Sequence, residues 1–224
     1  MFPSVADVSG LNRLLRPILA QATGAICGIT EFSASNDLGQ KPIIVVSTSP
    51  HCVTGIERAI SVIEKAGYEI LRIAADGNGG HGLESIIDSN LAAGILDFSL
   101  REFGDDILDG LQSVGPKRLS SAARTGIPAV IVPGELDTFT VPESWTQDPN
   151  TPKRTVYREQ NKPTLIRTNS DESARLGKAL AEKLNQSIGP VSMILPLRGM
   201  SNLSTPGQPL HDPESCLLYT SPSP

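Results

Sequence analysis

At 224 residues, with 39% hydrophobic and 19% charged side chains, the chain has the length and balance of one large globular domain, or of one domain with an additional piece. Its net charge of −5, without a run of Lys or Arg, argues against a nucleic-acid surface, which needs a basic stripe to displace counterions. No apolar stretch reaches the roughly 18 residues needed to span a bilayer, and aromatics at 4% leave the core to Ile, Leu, Val and Ala.

In chain order, Leu11–Ile29 reads as a helix with a face of small residues (Ala20, Ala22, Gly24, Ala25, Gly28), and Pro17 starts or kinks it. Residues 31–41 form a polar linker, so residues 1–40 are expected to be a helix and linker left from an N-terminal domain that is absent here. A rhythm of strands and helices then begins. Lys41–Ser47, Tyr68–Ala74, Gly94–Phe98, Ile127–Val132, a short Thr164–Thr168 and Val191–Leu195 read as strands. Thr54–Ala66, Gly82–Leu91, Asp105–Leu111, Pro116–Thr125 and Ser170–Gln186 read as helices, the last with Asp171 and Glu172 in its first turn, where the dipole favours anions. Apolar strands alternating with helices predict an α/β domain over 41–214, with a mainly parallel, Rossmann- or flavodoxin-like sheet sandwiched by helices. Segment 138–163, which holds Trp145, shows no strong pattern and reads as a lid, binding loop or contact arm. Residues 215–224 have no periodicity and are expected to be a non-native tail.

Cys27, Cys52 and Cys216 form neither a metal-spaced pair nor a disulfide framework, which favours a reducing compartment. Pro3, Asp7 and Gly10 stand where a signal peptide needs a basic start and an apolar run. A cytoplasmic protein is expected.

In a sheet of this kind ligands bind beyond the carboxyl ends of the strands. Ser47, Thr48 and Ser49 follow the first strand and lead through His51 and Cys52 into a helix: an anion site or an ordinary capped turn. The stretch Asp76-Gly77-Asn78-Gly79-Gly80-His81-Gly82 is the most informative, because four glycines before a helix expose N–H groups to a close ligand. A flexible turn is its other reading. Asp76, Asp97 and Asp137 end strands and are the candidate catalytic acids, with Glu135 beside the last; with His51 and His81 they suit proton transfer or a divalent cation such as Mg, although no spacing supports a metal. Arg167 and Arg198 suit an anion clamp or salt bridges to those same aspartates. Cys52 reads as a nucleophile activated by the helix start or as a buried structural thiol.

Several short motifs keep a particular order: Thr54-Gly55, Gly67-Tyr68-Glu69, the glycine stretch, Gly94-Ile95-Leu96-Asp97, Pro133-Gly134-Glu135-Leu136-Asp137, Arg167-Thr168, Leu176-Gly177, Lys183-Leu184-Asn185 and Pro196-Leu197-Arg198-Gly199-Met200-Ser201. In this the chain, nearly over residues 2–214, resembles the C-terminal half of the family that contains the tomato mosaic virus resistance protein and many bacterial and fungal relatives. The resemblance implies a second α/β domain, ATP as ligand and a homodimer. His51 stands where relatives more often read Thr-Thr-Pro-Cys, and Gln160-Asn161 where they often have His-Asn. The expected function is a nucleotide- or small-anion-binding domain of a two-domain protein, with an ATP-dependent enzyme of small-molecule metabolism as the reading that makes it catalytic. A non-catalytic dimerisation or interaction domain and a hydrolase or aldolase-like enzyme without ATP are the alternatives. Neither nucleic acid nor membrane is expected as a partner.

Overall fold

The computed structural model describes residues 12–13, 15–31, 41–147, 153–160 and 162–213. The expected tail 215–224 and most of the expected linker lie outside the described residues. The chain divides into two units, 1–40 and 41–224. In the first, helix α1 (Leu15–Glu31) begins where the Asn12 side chain accepts a hydrogen bond from Leu15 N at 3.0 Å. Pro17 falls in the first turn, where its missing N–H breaks no helical bond.

The second unit is built on five parallel strands: β1 (Ile43–Thr48), β2 (Glu69–Ala74), β3 (Gly94–Ser99), β4 (Ala129–Gly134) and, last in the chain, β8 (Val191–Met193). Their spatial order is β2-β1-β3-β4-β8, the flavodoxin-like arrangement, in which the order reverses between β1 and β3. Because successive residues of a strand face opposite ways, each apolar run feeds two cores. Val45, Ile95 and Ile131 pack with Leu83 and Ile87 of helix α3 (Gly79–Asp88) and with Leu176 and Leu180 of helix α6 (Ser170–Leu184). Val46, Leu96 and Val132 pack with Ile56 and Ile60 of helix α2 (Val53–Lys65). Helices α4 (Arg101–Ile107) and α5 (Ser120–Thr125) complete the layers.

Two expectations need correction. Residues 164–168 do not extend the parallel sheet. Strand β7 (Thr164–Arg167) instead pairs antiparallel with β5 (Thr138–Val141) and with β6 (Val156–Tyr157), giving a separate three-stranded sheet. Part of the patternless segment 138–163 is therefore strand. Helix α6 starts at Ser170, as its sequence suggests, but ends at Leu184, short of the expected Gln186; Asn169 is its N-cap, and the side chains of Asn169 and Glu172 form a reciprocal capping box at 2.9 and 2.8 Å.

Candidate functional site

The glycine stretch folds differently from an open anion cradle. Gly79, Gly80, His81 and Gly82 lie inside α3, with Asn78 as N-cap. The N–H groups of Gly77 and Gly80 are already occupied, donating to Glu102 Oε1 at 2.9 and 3.0 Å. Glu102 is fully buried, and its other oxygen accepts from Arg118 Nε at 3.0 Å. Arg118 also grips Asp97, with Nη2 2.7 Å from Oδ1. Ser47 Oγ donates to the same Oδ1 at 2.7 Å and accepts from Phe98 N and Ser99 N. The protein thus supplies its own carboxylate to the amides expected to await a ligand. The glycines answer to packing: a Cβ on Gly79 would sit 1.6 Å from Ala74 O, and one on Gly80 2.3 Å from Glu102 Oε2. Sequence reasoning missed Arg118 and Glu102 because neither lies in an apolar run that would mark it as buried: Glu102 precedes the expected helix Asp105–Leu111, and Arg118 sits in the turn before α5.

The candidate residues scatter among neighbourhoods. Asp97 and Ser47 share the Arg118 network with Gly77 and Gly80. Asp76 is exposed, and its carbonyl accepts from Gln112 Nε2. His81 is exposed and borders a shallow cavity of about 320 Å³ with Glu84, Asp88 and Lys117. Thr48 Oγ1 donates to Ile73 O at 3.2 Å, and Ser49 Oγ accepts from His51 N at 3.3 Å. Arg198 is exposed on the turn after β8. Asp137 is fully buried, with Oδ2 3.8 Å from Arg167 Nη1, and burial lifts its carboxyl above the usual range.

A second constellation gathers at the carboxyl ends of β1, β3 and β4. Arg101, just after β3, pairs with Glu135, just after β4, and Ser99 Oγ donates to the other oxygen of Glu135 at 2.6 Å. Glu135 holds a left-handed backbone, φ 60°, although it is not glycine. Such strain persists only where surroundings over-determine it, and it concentrates at functional sites. The segment after β8 returns over these strand ends. Glu135 N donates to Met200 O at 3.0 Å, Asn202 N to His51 O at 2.8 Å, and Cys52 Sγ lies 3.6 Å from Met200 O. Gly134 must lack a side chain, because a Cβ would stand 2.2 Å from Phe98 O.

Between this returning segment and the start of α2 opens a cavity of about 380 Å³, lined by residues that include His51, Thr54, Phe98, Pro196 and Met200. The N-cap of α2 is Cys52, which makes no side-chain cap hydrogen bond. The amides of Val53, Thr54 and Gly55 therefore carry no hydrogen bond among the described residues, and all three residues are exposed. Burial, then the neighbouring Glu135 and Asp137 carboxylates, push the Cys52 thiol far above its ordinary range, so the activated-thiolate reading does not hold and the buried structural thiol does. Burial likewise lowers the pKa of His51, against the pull of Glu135, so the imidazole is neutral at neutral pH. No cluster of three or more metal-ligating side chains occurs among the described residues, and no described helix is long and apolar enough to cross a membrane.

Residues 41–219 match the model of the "Uncharacterised protein family (UPF0261) C-terminal domain". A UPF0261 protein of Clostridium tetani is 35% identical over 93% of this chain and 52% of its own length. One from Rhizobium meliloti is 36% identical over 95% and 53%. The ToMV resistance protein Tm-1(GCR237) of Solanum lycopersicum is 29% identical over 97% of this chain and 30% of that protein. The chain spans about half the length of the bacterial relatives.

Proposed function

This chain belongs to the UPF0261 family, carrying its C-terminal domain, and on that premise we propose that the domain binds a small anion, through a phosphate or carboxylate group, at the start of α2. One observation carries the reading. Three amides at a helix start, without a partner among the described residues, open onto a cavity at the point where the strand order reverses. A helix start offers both N–H donors and the positive end of the dipole, and the reversal point is where open α/β sheets place ligands. The sequence-based expectation therefore moves from the glycine stretch to Val53, Thr54 and Gly55. ATP with Mg, implied by the family resemblance, is the nucleotide to examine first.

The test is the melting temperature of the chain in a panel of inorganic phosphate, carboxylates and Mg–ATP, since a ligand that binds only the folded state raises it. Thr54→Asp is the companion variant. Its new carboxylate in the first turn stabilises the free helix by about 0.3–1 kcal/mol and repels an anion from the same amides. The expected result is a raised melting temperature without ligand and no further rise with it. No shift for any anion in the unsubstituted chain removes the reading.

A second reading rests on α1, which buries no residue and exposes Leu19, Ile26 and Ile29. Such a stripe suits a homodimer through α1. Sedimentation of the chain and of Leu19→Lys/Ile26→Lys tests it: a dimer that the double variant dissociates supports it, and a monomer throughout removes it.

A further inference from the structure

The parallel sheet ends on two edge strands, β2 and β8, and the two are built differently. β2 carries Glu69 and Arg72, both exposed, and charged side chains on an edge guard it against pairing with another chain. β8 has no such guard. No charged side chain occurs between Lys183 and Arg198. All three residues of β8 are exposed, and so are Ile188, Ile194 and Leu197 beside it, Leu197 to 95%. Single exposed apolar residues are ordinary, but a group of them along one edge marks a contact surface. The main chain points the same way. Pro190 O and Ile194 N, on either side of β8, bond to Ala129 N and Ile131 O of β4. Alternate residues of a strand direct their backbone groups to the same side. The N–H and C=O groups of Val191 and Met193 therefore face away from β4, with no strand beyond them among the described residues.

We propose that a second copy of this chain covers the β8 edge, the two β8 strands pairing antiparallel about a two-fold axis at Ser192. Val191 exchanges both main-chain hydrogen bonds with the partner's Met193, and Met193 with the partner's Val191. Such a pair is complementary to itself, as a two-fold contact must be. Ser192 meets its own copy at a non-hydrogen-bonded position, where Cα atoms approach to about 4.5 Å and a small side chain fits. Charge selects the same surface. The chain carries −5 overall, so two copies repel in general but not along an uncharged strip. Pro190 and Pro196 bracket the strand and keep the pairing short. This contact does not involve the anion site and is distinct from a dimer through α1.

The experiment is sedimentation, over a dilution series, of the chain, of Met193→Pro and of Ile194→Lys/Leu197→Lys, with hydrogen exchange at the Val191 and Met193 amides. Met193→Pro deletes an outward N–H and no bond to β4; should it fail to fold, the lysine variant decides. The two-fold repeats each loss, so either variant is expected to raise the dimer dissociation constant at least about tenfold. Leu19→Lys/Ile26→Lys is expected to leave it unchanged, and both amides to exchange more slowly as concentration rises. A dimer that only the α1 variant dissociates, or that withstands both edge variants, overturns the proposal. A monomer throughout also overturns it; amides protected at every dilution would then show that the edge is covered from within the chain.

Discussion

Asp97 is the residue whose sequence reading and structural position differ most in consequence. Read as an acid at a strand end, it is a candidate for chemistry; in the fold it is fully buried, held by Arg118 and by Ser47. Arg118 in turn bridges Asp97 and Glu102, with Glu84 3.7 Å away. Removing one partner of such a group leaves a buried charge uncompensated, at about 3–5 kcal/mol. Asp97→Ala is therefore expected to lose about that much stability in urea denaturation, and the Asp97→Ala/Arg118→Ala pair to cost well under the sum of the single losses. Additive losses would show that the two side chains do not depend on each other. The sequence made Asp97 legible as an acid at a strand end, suited to chemistry or to a salt bridge. It did not reveal Arg118, 21 residues on, because pairing across that separation is fixed by the packing of α3 and α5 against β3 and not by any local pattern.

Elements were legible in proportion to their length and apolarity. The runs Ile43–Val46 and Ala129–Val132 and the helical spacing of Ile56, Ile60 and Ile63 declare themselves, because a doubly covered sheet demands continuous apolar strands. Strands β5 and β6, of four and two residues, are too short for any periodicity to register and depend on pairing with β7. Helix starts were less legible. Four glycines suggested free amides, yet composition alone has no means of showing that Glu102 fills them. A methyl group at Gly80 would meet the Glu102 carboxylate and Val114, so Gly80→Ala is expected to destabilise by about 1–3 kcal/mol, against the gain an alanine normally brings inside a helix. A neutral or stabilising effect in thermal denaturation would mean that the Glu102 contact is not maintained. At α6 the capping box predicts that Asn169→Ala costs about 1 kcal/mol, measured in the same way, whereas loss within a few tenths would show that the cap carries little of the helix.

On the scale of the whole molecule, the strand order, the returning segment 199–202 and the ion pair of Arg101 with Glu135 place His51 and Cys52 together under one roof. Their shared burial has a consequence for the stability of the domain against pH. The pKa of His51 is lowered by burial, so below the unfolded value, about 6.5, the unfolded chain takes up a proton that the folded one refuses. Stability therefore declines as pH falls below that point, until the folded pKa is reached. The thiol of Cys52 is raised by burial and by Glu135. Above the unfolded thiol value, about 8.5, the unfolded chain loses a proton that the folded one keeps, and stability declines as pH rises. Each one-proton difference tilts the curve by at most about 1.4 kcal/mol per pH unit. His51→Gln is expected to flatten the acid limb alone and Cys52→Ala the alkaline limb alone, read from urea midpoints between pH 5 and 10. An acid limb unchanged in His51→Gln, or an alkaline limb unchanged in Cys52→Ala, would mean that the side chain concerned does not sit in the low-dielectric setting the fold gives it, and for His51 would remove the buried imidazole that borders the cavity.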